Sequence, residues 1–175
     1  MRKTAYIDLF THTVKIEDTC KETIVRFLGG RGYGAYLLYR LVPPEVKPHS
    51  PENTVIISSG LFSGTPWPAA ARYHLTFRSP LTGIYGYANA GGKLGPYLAA
   101  CGFDALVIRG KSETPVYLLI DKLDVRIEPA DELWGKTTGE TEALLYAKYS
   151  GAAIASIGPA GENGVLFASV INDGG

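Results

Sequence analysis

Gly30-Arg31-Gly32-Tyr33-Gly34-Ala35 fits the G-x-G-x-x-A pattern of a dinucleotide-binding turn. That turn works only where a β-strand feeds the first glycine and a crossover helix follows, because the pyrophosphate sits where strand gives way to helix. Here the preceding residues, Lys21 to Leu28, read as a helix capped by Asp18 or Thr19 and ended by Gly29-Gly30. A second helix is expected from Tyr33 to Leu41, closed by Pro43-Pro44. With no strand before it, the glycine run is a joint between two helices. The chain is therefore read as α+β with no Rossmann crossover.

The segments on either side agree. Thr4 to Leu9 and Thr13 to Ile16 alternate apolar and polar residues around a turn, as a half-buried hairpin does. Further short strands are expected at Thr54–Ser58, Arg72–Phe77, Ile84–Ala88 and Ala105–Ile108, with a helix from Leu94 to Cys101 stopped by Gly102. A second hairpin spans Pro115–Asp121 and Asp124–Ile127, followed by a helix from Glu140 to Lys148 capped by Thr138. Ala152–Ile157 and Val165–Val170 read as closing strands. Hairpin, capped helix and a strand ending in Ser-x-Gly occur twice, at Ser58-Ser59-Gly60 and Ser156-Ile157-Gly158. The pattern predicts two copies of one unit facing each other.

The 175 residues suit one domain, and 46% hydrophobic with 19% charged residues is a globular composition. Seventeen basic residues balance seventeen acidic ones, so the basic excess of a nucleic-acid-binding chain is missing. No apolar run is long enough for a membrane span, and Asp8 interrupts the start of the chain as a signal core. Cys20 and Cys101 form no C-x-x-C pair, and the three histidines are scattered, so a zinc site or an iron–sulfur cluster held by this chain alone is not expected. Both cysteines read as small buried hydrophobes of a reducing, cytoplasmic setting.

Asn89-Ala90-Gly91-Gly92-Lys93-Leu94-Gly95 carries the chemistry. Adjacent glycines after a strand and at a helix start present backbone N–H groups that lack intrahelical partners and approach an anion closely. Lys93 adds a charge. Arg72, where a strand leaves the Gly60–Pro68 loop, is placed to fork onto a phosphate or a ring edge. The residues alone leave phosphate binding and a plain structural turn equally open. No G-x-S-x-G elbow or P-loop is present. Glu140/Glu142 and Asp131/Glu132 read as solvated charges at helix starts.

Arg72-Tyr73-His74, Ser79-Pro80-Leu81-Thr82-Gly83, Ala88-Asn89-Ala90-Gly91-Gly92 and Ala100-Cys101-Gly102-Phe103-Asp104-Ala105 occur in that order. They are followed by Trp134-Gly135-Lys136, Ser156-Ile157-Gly158-Pro159-Ala160-Gly161-Glu162-Asn163 and Asn172-Asp173-Gly174-Gly175. Together with Gly30-Arg31-Gly32, this succession resembles the N-terminal domain of the aldehyde ferredoxin oxidoreductases over essentially the whole chain. The resemblance implies an α+β domain, a pseudo-two-fold duplication of antiparallel sheets with short helices, at residues 1–175 of a longer enzyme. It implies a tungsten (or molybdenum) bis-pterin cofactor with magnesium between the pterin phosphates. Arg72 would contact the pterin, the Asn89 backbone carbonyl would bind magnesium, and Gly91 and Gly92 would offer phosphate-binding amides.

The 4Fe-4S cysteines, the acid/base residues and the substrate channel would lie in later domains absent here, and Cys20 and Cys101 match no cluster ligand. Ala71 stands where the family pattern has glycine. The implied partners are an aldehyde substrate and ferredoxin, with no nucleic acid and no membrane, and with a homo-oligomer as one possible assembly. The alternative is a freestanding module that binds a phosphorylated ligand or a partner subunit. Because the family's later domains and cofactor would cover this one, the resemblance also implies an exposed apolar face on this chain, with the Gly60–Ala71 loop, Phe62 and Trp67 in it.

Overall fold

The computed structural model describes residues 2–174; Met1 and Gly175, the last residue of the Asn-Asp-Gly-Gly stretch, lie outside them. The chain runs β1 (Lys3–Asp8), β2 (Thr13–Asp18), α1 (Lys21–Phe27), α2 (Gly30–Leu41), β3 (Thr54–Ser59), β4 (Tyr73–Arg78), β5 (Tyr85–Ala90), α3 (Leu94–Ala100) and β6 (Phe103–Arg109). It continues with β7 (Val116–Asp121), β8 (Asp124–Pro129), α4 (Thr138–Lys148), β9 (Ala155–Ser156), α5 (Pro159–Glu162) and β10 (Ile171–Asn172).

Six strands form one sheet in the order β2-β1-β6-β3-β4-β5. All its neighbours are antiparallel except β1 and β6. β6 reads as a continuous apolar run because both of its faces are covered. On one face Tyr33, Leu37 and Leu38 of α2 pack on Ile56, Ala105 and Val107. On the other, Leu98 of α3 and Val125 of β8 close over Ala5, Ile7, Phe103 and Leu106.

The glycine run lies inside this packing. A helix, α1, precedes it, and α2 begins at Gly30 rather than at Tyr33 as expected. A Cβ on Gly32 would stand 2.2 Å from the Phe27 carbonyl oxygen, and one on Gly34 2.5 Å from Thr76 Oγ1. These two glycines let α2 press against the end of α1 and against β4. The cap of α1 is also not as expected: Cys20 occupies the N-cap without a side-chain bond. Thr19 is buried instead, its hydroxyl 2.9 Å from that of Thr4.

In the second half the order hairpin, helix, strand recurs, and β9 pairs antiparallel with β10 as β3 does with β4. Two details differ from the sequence reading. The α4 cap is Thr137, not Thr138, in a reciprocal box with Glu140. Val165–Val170 forms no strand; the pairing strand is β10, after a turn in which the Ala168 N–H donates to the Val165 carbonyl. Among the described residues β7–β8 and β9–β10 remain two-stranded. An apolar cavity of about 450 Å³ lies between them and the main sheet, lined by Val116, Leu118, Ile120, Leu145, Ile154 and Leu98 among others.

Candidate functional site

The turn from β5 to α3 lies beneath the segment that carries Arg72. A Cβ on Gly95 would stand 2.7 Å from the Ala71 carbonyl oxygen, so glycine is what lets the first turn of α3 pack there. Arg72 reaches across to β5, where its Nη1 donates to Asn89 Oδ1 at 2.5 Å. The side chains of both residues are exposed. Gly91 and Gly92 follow directly. The space where a Cβ of Gly91 would point is empty within 4 Å. The four residues singled out in the sequence are thus brought to one edge of the main sheet.

An anionic oxygen already stands at this edge, and it belongs to the chain. The Lys93 N–H donates to Asp173 Oδ2 at 2.7 Å. Asn172 Nδ2 donates to the same oxygen at 3.1 Å and to the Gly91 carbonyl at 3.2 Å, while its Oδ1 accepts from the Tyr73 hydroxyl at 2.9 Å. Gly92 has φ +86°, and a Cβ there would fall 2.0 Å from Asp173 Oδ2, so another residue would strain the backbone and displace the carboxylate. Asp173 Oδ1 is buried without a partner. The carboxylate stands in for an oxyanion: it takes up the amide at the start of α3, as a phosphate oxygen does at such a turn. Burial, and then the nearby Asp173 charge, push the Tyr73 phenol up.

Around the β4–β5 edge a second group of side chains assembles. His74 pairs with Asn89 across the strands. Burial and the Arg31 and Arg72 guanidiniums hold its imidazole below the usual histidine range, and its Nδ1 is enclosed without a partner. The Arg31 guanidinium lies 4.5 Å from the centre of the Tyr87 ring. In the sequence Arg31 stands in a glycine run that reads as a joint, so nothing local marks it for binding. Asn172-Asp173-Gly174 carries a local signal: Asn-Asp-Gly is a turn sequence whose short polar side chains bond neighbouring backbone.

Other expectations resolve individually. Cys20 is exposed, not buried, and its thiol donates to Glu22 at 3.1 Å. Its place as the N-cap of a surface helix, ahead of a carboxylate, explains the departure. Cys101 is half-buried against the core beside Leu98 and Phe103. Glu140 serves the α4 cap, and Glu142 accepts from the Gly174 N–H at 3.0 Å. Phe62 and Trp67 are exposed and stack on each other, 5.7 Å between ring centres. Among the described residues no helix is long and apolar enough to cross a membrane.

Comparison with known proteins bears on the whole chain. The family model described as "Aldehyde ferredoxin oxidoreductase, N-terminal domain" matches residues 4–175. A tungsten-containing aldehyde ferredoxin oxidoreductase of Pyrococcus furiosus is 44% identical over 170 residues, 96% of this chain and 28% of that protein. An aliphatic sulfonate oxidoreductase, WOR-like subunit, of the same organism is 31% identical over 94% of this chain and 29% of its own length. Among solved structures, the active site complex BamBC of benzoyl coenzyme A reductase with 1,5-dienoyl-CoA superposes with a TM-score of 0.95 at 36% identity, over 98% of this chain and 27% of that one. The chain spans less than a third of the length of these relatives. With the matching motifs carried on the matching fold, the chain belongs to the aldehyde ferredoxin oxidoreductase family and corresponds to its N-terminal domain.

Proposed function

We propose that this chain forms the cofactor-facing base of a tungsten-dependent oxidoreductase that converts an aldehyde to a carboxylate. Electrons would leave through a 4Fe-4S cluster, held elsewhere in the longer protein, to ferredoxin. The observation that carries the reading is the β5–α3 turn: Arg72, Asn89, Gly91 and Gly92 share one edge, and the amide there already binds a carboxylate oxygen. A pterin phosphate needs such donors. The open space over Gly91 admits it, and the Asp173 side chain would have to swing off the Lys93 amide to free the rest of the turn. The Asn89 carbonyl, at the end of β5, is the proposed magnesium ligand.

In this reading the tungsten-pterin supplies the two-electron chemistry, and the chain's own residues bind and orient. Arg72, fixed by Asn89, offers N–H groups to a pterin edge or to a group on the cluster side. The relatives that match this region are named for different reactants, a sulfonate and benzoyl coenzyme A among them. A domain shared across such reactants supports reading this part as the one that holds the common cofactor, with the aldehyde chosen elsewhere in the longer protein. The test is substitution in the longer enzyme. Gly91→Val, which fills the open space, is expected to lower tungsten and pterin content together while the chain stays folded by circular dichroism. Full cofactor content in that variant would refute the assignment of the turn.

A further inference from the structure

We propose that Arg31 and Arg72 form a two-guanidinium clamp for a phosphoryl group, adding a residue, Arg31, to which neither the turn at Gly91 nor the resemblance assigns a role. Tyr87 and Asn89 are alternate residues of β5, so their side chains stand on the same face, about 7 Å apart along the strand. A guanidinium lies over each: Arg31 over the Tyr87 ring at 4.5 Å, Arg72 on Asn89 Oδ1 at 2.5 Å. Both guanidiniums also lie near enough to His74 to act on its imidazole, and one tetrahedral oxyanion between the two planar cations would accept from both.

Neither contact uses up the arginine. A guanidinium stacked on a ring keeps its N–H groups in its own plane, pointing past the ring, and the Asn89 amide oxygen takes one Nη of Arg72. Arg2, Arg109 and Arg126 each face a carboxylate. Among the described residues, none lies within 4.0 Å of Arg31 or Arg72. Both guanidiniums also act on His74, whose enclosed Nδ1 has no partner and adds a third polar atom to the same edge. His74 Cδ2 would lie 3.1 Å from a Cβ on Gly30, so the ring is held against the first turn of α2, the turn that carries Arg31. Two exposed, unneutralised guanidiniums, carried by a helix start and a strand edge, offer the donor set of a dianion site.

The geometry stands without the cofactor assignment; only the source of the phosphoryl group rests on it. The experiment titrates inorganic phosphate and pyrophosphate into the ¹⁵N-labelled chain, following arginine Nε–H resonances alongside the Gly91, Gly92 and Lys93 amides. The clamp predicts saturable shifts at Arg31 and Arg72. Arg31→Gln is expected to weaken binding at least about ten-fold, and Arg31→Lys, which keeps the charge but loses the fork, to weaken it less. Shifts confined to the Gly91–Lys93 amides, equal affinity in Arg31→Gln, or linear shifts that mark an adventitious ion only would each overturn the clamp.

In the longer enzyme, loss of pterin from Arg31→Gln assigns the phosphoryl group to the cofactor. Retained pterin with lost phosphate binding assigns it to a free phosphate or a phosphorylated reactant. A longer enzyme that holds no tungsten while phosphate still saturates Arg31 would refute the proposed function and leave the clamp standing.

Discussion

Gly34 faces the hydroxyl of Thr76, and an added methyl group would stand 2.5 Å from that oxygen. Replacing glycine by alanine in an open helix interior gains about 1 kcal/mol. Here the clash with a buried strand works against the gain, and overpacking of this kind costs about 1–3 kcal/mol. Gly34→Ala is therefore expected to lower stability in urea denaturation, whereas Gly139→Ala, with nothing within 4 Å of the new methyl, is expected to hold or raise it. Asp104 supplies a pH test. Burial raises its carboxyl above the usual aspartate range, against the lowering pull of Arg2 at 3.6 Å. A raised folded-state value means that this group's favourable contribution is complete at acid pH and is lost as pH climbs from the ordinary aspartate range through the folded value. Asp104→Asn should remove that dependence: relative to the parent, its stability should improve between pH 3 and pH 7, as followed by thermal melts at fixed salt. An unchanged difference across that range would refute the sign.

The same glycine pattern serves a phosphate turn in one fold and close helix packing in another, and the element before it tells them apart. That distinction was legible at Lys21–Phe27, a helix in both sequence and structure. The cap of α4 was legible to within one residue. Thr137 and Thr138 are adjacent, and the reciprocal bonds separate them: the Glu140 N–H donates to the Thr137 hydroxyl at 3.3 Å, and the Thr137 N–H donates to the Glu140 carboxylate at 2.9 Å. Thr137→Ala is expected to cost about 1 kcal/mol, and Thr138→Ala less than about 0.5 kcal/mol. Equal losses by thermal denaturation would undo the cap assignment. The partner of the Lys93 amide was not legible, because Asp173 comes from 80 residues along the chain and no local periodicity reports such a meeting. Arg31 was hidden for a related reason: its role depends on Tyr87, brought near only when α2 packs over β3 and β4, the latter paired with β5. Val165–Val170 is apolar enough for a strand, yet it follows a turn and finds no partner strand among the described residues.

At the scale of the molecule, the described surface carries apolar groups that a freestanding domain ordinarily covers. Phe62, Trp67, Leu81 and Ile84 are each more than half exposed, at 55%, 66%, 59% and 68%. Exposed patches of this kind mark contact surfaces. Residues 1–175 are expected to self-associate with rising concentration in sedimentation experiments, and Phe62→Ser with Trp67→Ser to weaken that association; a strictly monomeric parent would contradict it. The half-site is expected to be weak by itself as well. A helix start contributes about 0.3–2 kcal/mol to binding an anion, short of the roughly 4 kcal/mol that millimolar affinity takes, until other walls enclose the ligand.

The most direct measurement is metal and pterin analysis of residues 1–175 beside the longer enzyme, both purified without oxygen from a host that makes the cofactor. The account predicts tungsten and pterin in stoichiometric amounts on the longer enzyme and neither on residues 1–175. Stoichiometric tungsten on residues 1–175, or none on the longer enzyme, would contradict it.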